Sequence, residues 1–259
     1  MSVLSDNYLQ NIGKYQSVKS YTYLGVVFHS SGNFSATAAE FVNKGFTAQG
    51  AIFSSIKRTK NLNLGSLSKL FDSIVKSTTL YAAGVWGLTE ADQLERVQQQ
   101  FFKRALFLPT CTPKHFIRLE TGRPHLSFEV IKLALLMYQR ILDSPRTSLL
   151  YEAYAALRRV SEITPLKKYS WCTQLSSILV ELGYQDTWNQ NCAYLLSVNR
   201  KRILGKLRKS LGEADLNHAR FRPEGLMGWS CLSVCLSVCL SVRKGRCANI
   251  VTHNCRRTM

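Results

Sequence analysis

The chain has 259 residues, of which 46% are hydrophobic, so it is long enough to bury an apolar core without disulfide bonds. Five of its eight cysteines lie between Cys231 and Cys255, a distribution that does not fit a secreted disulfide framework. Lys and Arg outnumber Asp and Glu by 34 to 16, which gives a formal net charge of +18. This excess predicts a polyanionic partner, nucleic acid before an anionic membrane, although charge alone also fits a merely basic protein.

The start of the chain, from Met1 to Gln16, lacks both the basic and the apolar segment of a secretory signal. The only unbroken apolar-looking run, from Cys231 to Val242, has about half of the roughly 20 residues that a membrane span needs. We therefore expect a protein of the nucleus or cytoplasm that is not secreted and has no transmembrane segment and no membrane partner.

β-Branched and aromatic residues from Tyr21 to Phe28 predict a short N-terminal β-strand or hairpin, ended by turn residues at Ser30 to Gly32. A single strand is not stable alone in water. It is therefore expected to pair with residues 8–16 or with a partner outside the chain. Residues 1–33 are assigned to a lead-in and this strand.

Residues 34–109 are predicted to form an antiparallel three-helix bundle. Its first helix runs from about Ser35 to Thr59, and its end carries three cations, Lys57, Arg58 and Lys60. Cations at a helix C-terminus suit the helix dipole, and the same side chains could equally contact phosphate. The third helix is expected to follow Thr89 as its N-cap and to stop at Pro109.

The central helix of this bundle is predicted to run without interruption from Ser66, its N-cap, to Gly87, a length of about 30 Å. Its apolar residues recur at helical spacing, which places them on one face that must be covered by the neighbouring helices. These residues are Leu67, Leu70, Phe71, Ile74, Val75, Tyr81, Ala82, Val85 and Trp86.

Residues 110–228 are predicted to form a downstream helical region in which Pro and Gly residues separate the helices. The expected helices span 113–120, 127–143, 149–160, 171–182 and 187–211. The last of them ends in a basic amphipathic segment that contains Arg200, Lys201, Arg202, Lys206, Arg208 and Lys209. Three interpretations of this segment stay open: contact with a nucleic-acid backbone, binding to a membrane surface, and a solvated face that packs by one edge.

Residues 229–259 form a Cys-rich, low-complexity tail that is expected to be disordered. The run CLSVCLSVCLSV is what a translated TGTC repeat would encode, so we interpret the segment as simple-sequence repeat. A zinc site built from Cys235, Cys239, Cys247, His253 and Cys255 is the alternative. The spacings match no compact zinc motif, and no metal is predicted.

No catalytic constellation is recognisable in the sequence. The acidic residues, among them Asp72, Asp92 and Glu120, are predicted to be isolated on helix surfaces. The histidines have no suitably spaced carboxylate. We therefore expect no catalytic residue, no cofactor and no activity of the chain by itself.

Five short motifs follow one another along the chain in a characteristic order and spacing. They are Tyr23-Leu24-Gly25-Val26 with Phe28; Leu70-Phe71-Asp72 with Tyr81 and Val85-Trp86-Gly87; Glu95-x-Val97-Gln98 with Phe101; Leu108-Pro109; and Glu120-x-Gly122-Arg123-Pro124. This ordered set, between Tyr21 and Leu142, resembles the region after the catalytic palm in reverse transcriptases of non-LTR (LINE-like) retrotransposons. The chain departs from the family at Gly84, where an acidic residue often precedes the Val-Trp pair.

The resemblance implies that Tyr23, Leu24 and Gly25 belong to a hairpin that grips the primer terminus, and that the helices from Ser35 to Leu108 form a thumb that closes on template and primer. The family's Mg²⁺-binding Asp residues lie in a palm that the chain lacks, as it lacks the endonuclease domain. The chain is thus interpreted as a fragment of an RNA-directed DNA polymerase that binds template–primer nucleic acid at most. The alternatives are an all-helical protein-interaction module and a translated relic without selected function; the oligomeric state is not predicted.

Overall fold

The computed structural model describes residues 18–56, 63–163 and 170–220, and within them the chain is mainly helical with one two-stranded sheet at its N-terminal end. The predicted fold class, helices with a short N-terminal hairpin, is confirmed. The expectations for residues 1–17, for Lys57, Arg58 and Lys60, and for the tail at 229–259 lie outside the described residues. The described elements are β1 (Ser20–Tyr23), β2 (Val26–His29), α1 (Ser35–Ile56), α2 (Leu64–Leu70), a π-helical segment (Phe71–Lys76), α3 (Ser77–Thr79), α4 (Ala83–Trp86), α5 (Ala91–Ala105), α6 (Lys114–Thr121), α7 (Ser127–Asp143), α8 (Leu149–Ile163), α9 (Trp171–Glu181), α10 (Gln185–Asn189) and α11 (Ala193–Arg220).

The aromatic run at the start of the described chain forms a hairpin, one of the two predicted forms. β1 pairs antiparallel with β2, so that Tyr21 lies opposite Phe28. The two residues between the strands, Leu24 and Gly25, have φ angles of 48° and 80°, the left-handed conformation that a two-residue hairpin turn needs. The strand thus has its partner close by in the chain, and the expected pairing with residues 8–16 or with another chain is not needed to form the sheet.

The predicted central helix is interrupted near its C-terminal end. It begins with α2, whose N-cap is Asn63 and not Ser66, because the Asn63 side chain accepts the Ser66 N–H. The helix continues through the π-helical segment into α3, and then Ala82 adopts a left-handed φ of 53° before α4 starts. The prediction of one uninterrupted helix of about 30 Å is therefore wrong.

Only part of the predicted apolar face of this region is buried. Leu67, Phe71, Val75 and Trp86 lie in the core as predicted, whereas Ile74, Tyr81 and Val85 are each more than 40% exposed. Three residues of α3 donate hydroxyl hydrogen bonds to carbonyls one turn back, a pattern that competes with regular helix geometry: Ser77, Thr78 and Thr79.

Two apolar cores share helix α7. The first core is formed mainly by α1, α2, the π-helical segment, α4 and α5, and it includes Leu126 and Val130. The second core, formed with α8 to α11, contains the rest of the buried face of α7, such as Leu135 and Tyr138. Because α7 contributes neighbouring residues to both cores, Val130 to the first and Ile131 to the second, it joins the N-terminal helices to the downstream ones.

Two further boundaries differ from the sequence interpretation. Helix α5 begins at Ala91 after Glu90, so Thr89 is not its N-cap. The helix expected over 187–211 is two helices, α10 and α11, because Asn191 between them takes a left-handed φ of 49°. The side-chain oxygen of Asn191 accepts hydrogen bonds from the hydroxyls of Tyr138 and Tyr154, at 3.0 and 2.7 Å, which fixes this bend against the second core.

Candidate nucleic-acid interface

The tip of the hairpin projects apolar and aromatic side chains into solvent. Tyr23 is 57% exposed and Leu24 is 70% exposed, whereas the strand that follows them is anchored to the rest of the protein. Val26 is buried in the first core, and the Thr37 hydroxyl donates to the Val27 carbonyl at 2.6 Å. The tip is thus a presented surface on an anchored base, which suits a contact to an external ligand.

An open groove of about 360 Å³ lies beneath this tip, between the hairpin, α1 and the interrupted helix. It is lined by Leu24, Gly25, Phe41, Lys44, Ser77, Thr78 and Tyr81. The groove exists because the chain leaves helical geometry after α3, which leaves the Tyr81 ring half exposed at the wall. An aromatic ring, hydroxyl groups and one ammonium group together suit a sugar–phosphate chain with a base stacked on the ring.

The cation of the groove is Lys44. Its ammonium nitrogen lies 2.5 Å from a Glu40 carboxylate oxygen and 4.6 Å from the centre of the Phe41 ring. Both side chains of the Lys44–Glu40 pair are about 40% exposed, so the pair contributes little to stability.

The floor of the groove is held by stacked rings. The Phe41 ring lies nearly parallel to Trp86, with centroids 5.4 Å apart and planes at 15°. Trp86 is 2% exposed, and its indole N–H donates to the Tyr81 carbonyl at 3.1 Å. Trp86 therefore fixes the interrupted segment against α1 and does not itself face a ligand.

A buried carboxylate organises the junction of several helices. Glu95 on α5 is 1% exposed, and its side chain accepts the Arg118 guanidinium at 3.0 Å and the Leu126 backbone N–H at 2.8 Å. Gln98 and Gln99 also donate to it, each at 3.2 Å. With four donors, this carboxylate stays satisfied although it is removed from water.

Arg118 extends this network to the last helix. Its Nε donates to Asp215 of α11 at 2.8 Å, and a second guanidinium nitrogen bonds the other carboxylate oxygen, so that the pair is bidentate. Burial acts against the charge of Arg118, but the hydrogen bond to Asp215 and the charge of Glu95 outweigh it and raise the pKa of Arg118. Arg118 thus ties α5, α6 and α11 into one unit.

A second branch of the network connects Arg123 to the π-helical segment. The guanidinium forms two hydrogen bonds to Asp72, one of 3.2 Å, donates to Gln98 at 3.2 Å, and lies over the rings of Phe71 and Phe102. Burial opposes ionisation of Asp72, but hydrogen bonds from Arg123 and Lys76 dominate, so the pKa of Asp72 lies below its ordinary value.

The acidic residues therefore do not all occupy lone surface positions as expected: Asp72 and Glu95 are partners of two arginines. Asp92 also has a partner, since one of its oxygens lies 3.3 Å from Nε2 of His125. The only sequence signal for the network was a set of polar residues, including Glu95 and Gln98, inside an otherwise apolar helix stripe. The arginine partner of Glu95 lies 23 residues away, where helical periodicity carries no information.

The basic segment of α11 presents most of its cations to solvent. Lys201, Arg202, Lys206, Arg208 and Lys209 are exposed, and Arg200 is half-buried. Lys206 lies 6.0 Å from the centre of the Tyr184 ring, and Lys209 lies 3.8 Å from Glu213 in an exposed pair. The hairpin packs on α1 whereas α11 packs on α6 and α7, so the structure assigns the two sets of predicted contact residues to different surfaces.

Within the described ranges, no group of three or more His, Cys, Asp or Glu side chains could hold a metal ion. None of the helices in the same ranges has the length and apolar character of a membrane span. No protein-family model, no curated protein and no solved structure matches the chain.

Proposed function

We propose that the chain is the part of a non-LTR retrotransposon reverse transcriptase that follows the catalytic palm, and that it binds the template–primer duplex without polymerising. The observation that carries the proposal is the convergence of the motif residues. Asp72, Glu95, Gln98 and Arg123, taken from three separate motifs of the resemblance, meet in one hydrogen-bond network. Residues that recur together in a family for structural reasons are expected to touch in this way.

The departure at Gly84 has a physical reason that is compatible with the proposal. A Cβ atom at this position would come within 2.9 Å of the Leu133 backbone, and the Gly84 carbonyl accepts the Trp171 indole N–H at 2.8 Å. An acidic side chain therefore does not fit where α4 packs on α7. Glycine at this position lets the downstream helices pack closely on the first core.

In this proposal the hairpin tip and the groove contact the primer strand. Tyr23 and Leu24 supply exposed faces for the terminal nucleotides, and Lys44 supplies a cation for the backbone. Lys57, Arg58 and Lys60, which follow α1, are proposed to contact further phosphates. The metal-binding carboxylates of the reaction belong to the palm of the parent enzyme, so the chain alone is expected to incorporate no nucleotide with Mg²⁺ or Mn²⁺. This function would place the protein in the nucleus or cytoplasm.

The test compares two matched double variants in binding to a fluorescein-labelled RNA template annealed to a DNA primer. Tyr23→Ser with Leu24→Ser removes the exposed tip but leaves Val26 and Thr37, which anchor the hairpin. Leu157→Ser with Val160→Ser removes a similar exposed apolar area from α8. The tip variant is expected to bind at least about tenfold more weakly, because each stacked base contributes roughly 1–3 kcal/mol.

The control variant is expected to bind like the parent chain. Equal affinity of the parent and the tip variant would contradict the proposed role of the hairpin. Template-dependent nucleotide incorporation above a no-protein control would contradict the proposal that the chain lacks the catalytic part.

A further inference from the structure

The outward face of α11 carries four cations in two rows. Lys201 and Arg208 lie seven residues apart, which is two helical turns, and so do Arg202 and Lys209. All four side chains are exposed. We call these four residues the α11 cationic face. The spacing within each row is about 10.5 Å along the helix axis.

This face is poorly neutralised by the protein itself. No acidic residue occurs in the sequence from Ala193 to Gly212. In the described part of the chain, Lys209 has a carboxylate partner at 3.8 Å, whereas Lys201, Arg202 and Arg208 form no ion pair. Like charges close together on a helix destabilise it, and a polyanion laid against them relieves that repulsion.

A shallow path separates the two rows. Gly205 lies between them on the helix surface, and a Cβ atom built at this position would meet nothing within 4 Å. The backbone is therefore open to solvent at the centre of the face, with cations on both sides. A chain of phosphates can approach such a path closely and contact both rows.

The packing of α11 distinguishes nucleic acid from a membrane. A helix that binds a membrane surface must insert its apolar face into the lipid. In this structure that face is consumed by the second core, where Leu196 and Ile203 are fully buried and Leu207 is nearly so. Only the cationic side remains available, and it suits phosphates in solution.

We propose that the α11 cationic face is a second nucleic-acid site, which binds the phosphate backbone of a duplex without reading its sequence. The site lies outside the region covered by the resemblance, and it rests on the proposed function only for the class of ligand. The bidentate pair between Arg118 and Asp215 holds the far end of α11 on α6, so the face is fixed relative to the first core.

The sharpest test places a negative charge in the path without disturbing the fold. Gly205→Glu puts a carboxylate between the rows, and Gly205→Gln adds nearly the same volume without charge; both side chains enter open space. With a fluorescein-labelled DNA duplex at about 0.1 M salt, the Glu variant is expected to bind roughly eightfold or more weakly than the Gln variant, the effect of removing one phosphate interaction. Equal binding of the two variants would overturn the proposal.

Charge removal gives an independent measurement. Two double variants each remove one row: Lys201→Gln with Arg208→Gln, and Arg202→Gln with Lys209→Gln. The control, Arg146→Gln with Arg159→Gln, removes two exposed cations near or on α8. Each α11 variant is expected to lower the slope of log affinity against log salt by about 1.8, while the α8 variant keeps the parent slope. Equal slopes for all three variants would mean that only the total charge of the protein matters, and would overturn the site.

Two further measurements distinguish the α11 site from membrane binding and from the hairpin contact. Vesicles of phosphatidylserine and phosphatidylcholine are expected not to bind; binding that the Glu variant abolishes would assign the face to a membrane and overturn the proposal. The Tyr23→Ser, Leu24→Ser variant tests the hairpin with the same duplex. Loss of binding in that variant but not in the α11 variants would overturn only the second site, and the reverse would overturn only the hairpin contact.

Discussion

Charged residues have opposite roles in two regions of this protein. In the first core, Glu95 is almost completely buried and Arg118 is largely buried, and each has an opposite charge and further hydrogen bonds. On α11, Lys201, Arg202 and Arg208 are exposed and have no carboxylate partner among the described residues. The first arrangement serves the fold, because its charges are already paired with one another. The second contributes nothing to the packing and is available for binding, so net charge alone is a poor guide to where a polyanion binds.

The largest expected effect comes from breaking the buried network. Glu95→Ala removes the acceptor of the Arg118 guanidinium and of the Leu126 N–H, and it leaves buried donors without partners. The free energy of unfolding is expected to fall by about 3–5 kcal/mol, measured by urea denaturation. Glu213→Ala breaks an exposed pair with Lys209 and is expected to cost less than about 0.5 kcal/mol. Similar losses for both variants would contradict the distinction between the two regions.

A pair of glycine substitutions sharpens the comparison at the level of packing. Gly84→Ala places a Cβ atom within 2.9 Å of the Leu133 backbone and is expected to destabilise the protein by about 1–3 kcal/mol. Gly205→Ala lies in the interior of α11 with open space around it and is expected to stabilise by up to about 1 kcal/mol through helix propensity. Thermal unfolding of both variants measures the two signs. Stabilisation by Gly84→Ala would contradict the close contact of α4 with α7.

Acid is expected to lower the free energy of unfolding through the ion pair between Asp72 and Arg123. The pKa of Asp72 is below its ordinary value of 3.8 in the folded chain, because hydrogen bonds from Arg123 and Lys76 outweigh the effect of burial. Its contribution to stability is therefore present above about pH 4 and is lost as the pH falls through the depressed pKa. Asp72→Asn should unfold with a smaller pH dependence than the parent chain between about pH 5 and pH 2. An unchanged pH dependence would contradict the ion pair with Arg123.

The sequence predicted the helical class and much of the buried stripes, because apolar spacing reports directly which face of a helix is covered. Leu67, Phe71 and Val75 are buried as expected. The sequence left a strand and a hairpin open and did not place the turn, where Leu24 takes a conformation that an L-residue rarely adopts and only the following Gly25 gives a signal. It also missed the break at Ala82, which apolar spacing cannot reveal because the residues on both sides keep the helical period.

The candidate contact surfaces were only partly predictable, because apolar spacing reports which face of one helix is covered and not how distant segments meet. Exposure of the α11 cations follows from the burial of Ile203 and Leu207, which the amphipathic pattern indicated. The groove beneath the hairpin depends on how the hairpin, α1 and the interrupted helix meet, and Lys44 and Tyr81 gave no local sign of sharing it. The bidentate pair of Arg118 with Asp215 joins residues 97 positions apart in the sequence, so it could not be inferred from one chain's periodicity.

The most direct test of the central claim is the salt dependence of binding between the intact chain and a fluorescein-labelled RNA template annealed to a DNA primer. If about four phosphates are contacted, affinity should fall by roughly a hundredfold between about 50 and 200 mM salt, whatever the sequence of the duplex. Apolar docking, as in a helical protein-interaction module, would be insensitive to salt over this range. An affinity that does not change with salt, or an absence of binding at about 50 mM salt, would contradict the account of this protein as a nucleic-acid-binding part of a polymerase.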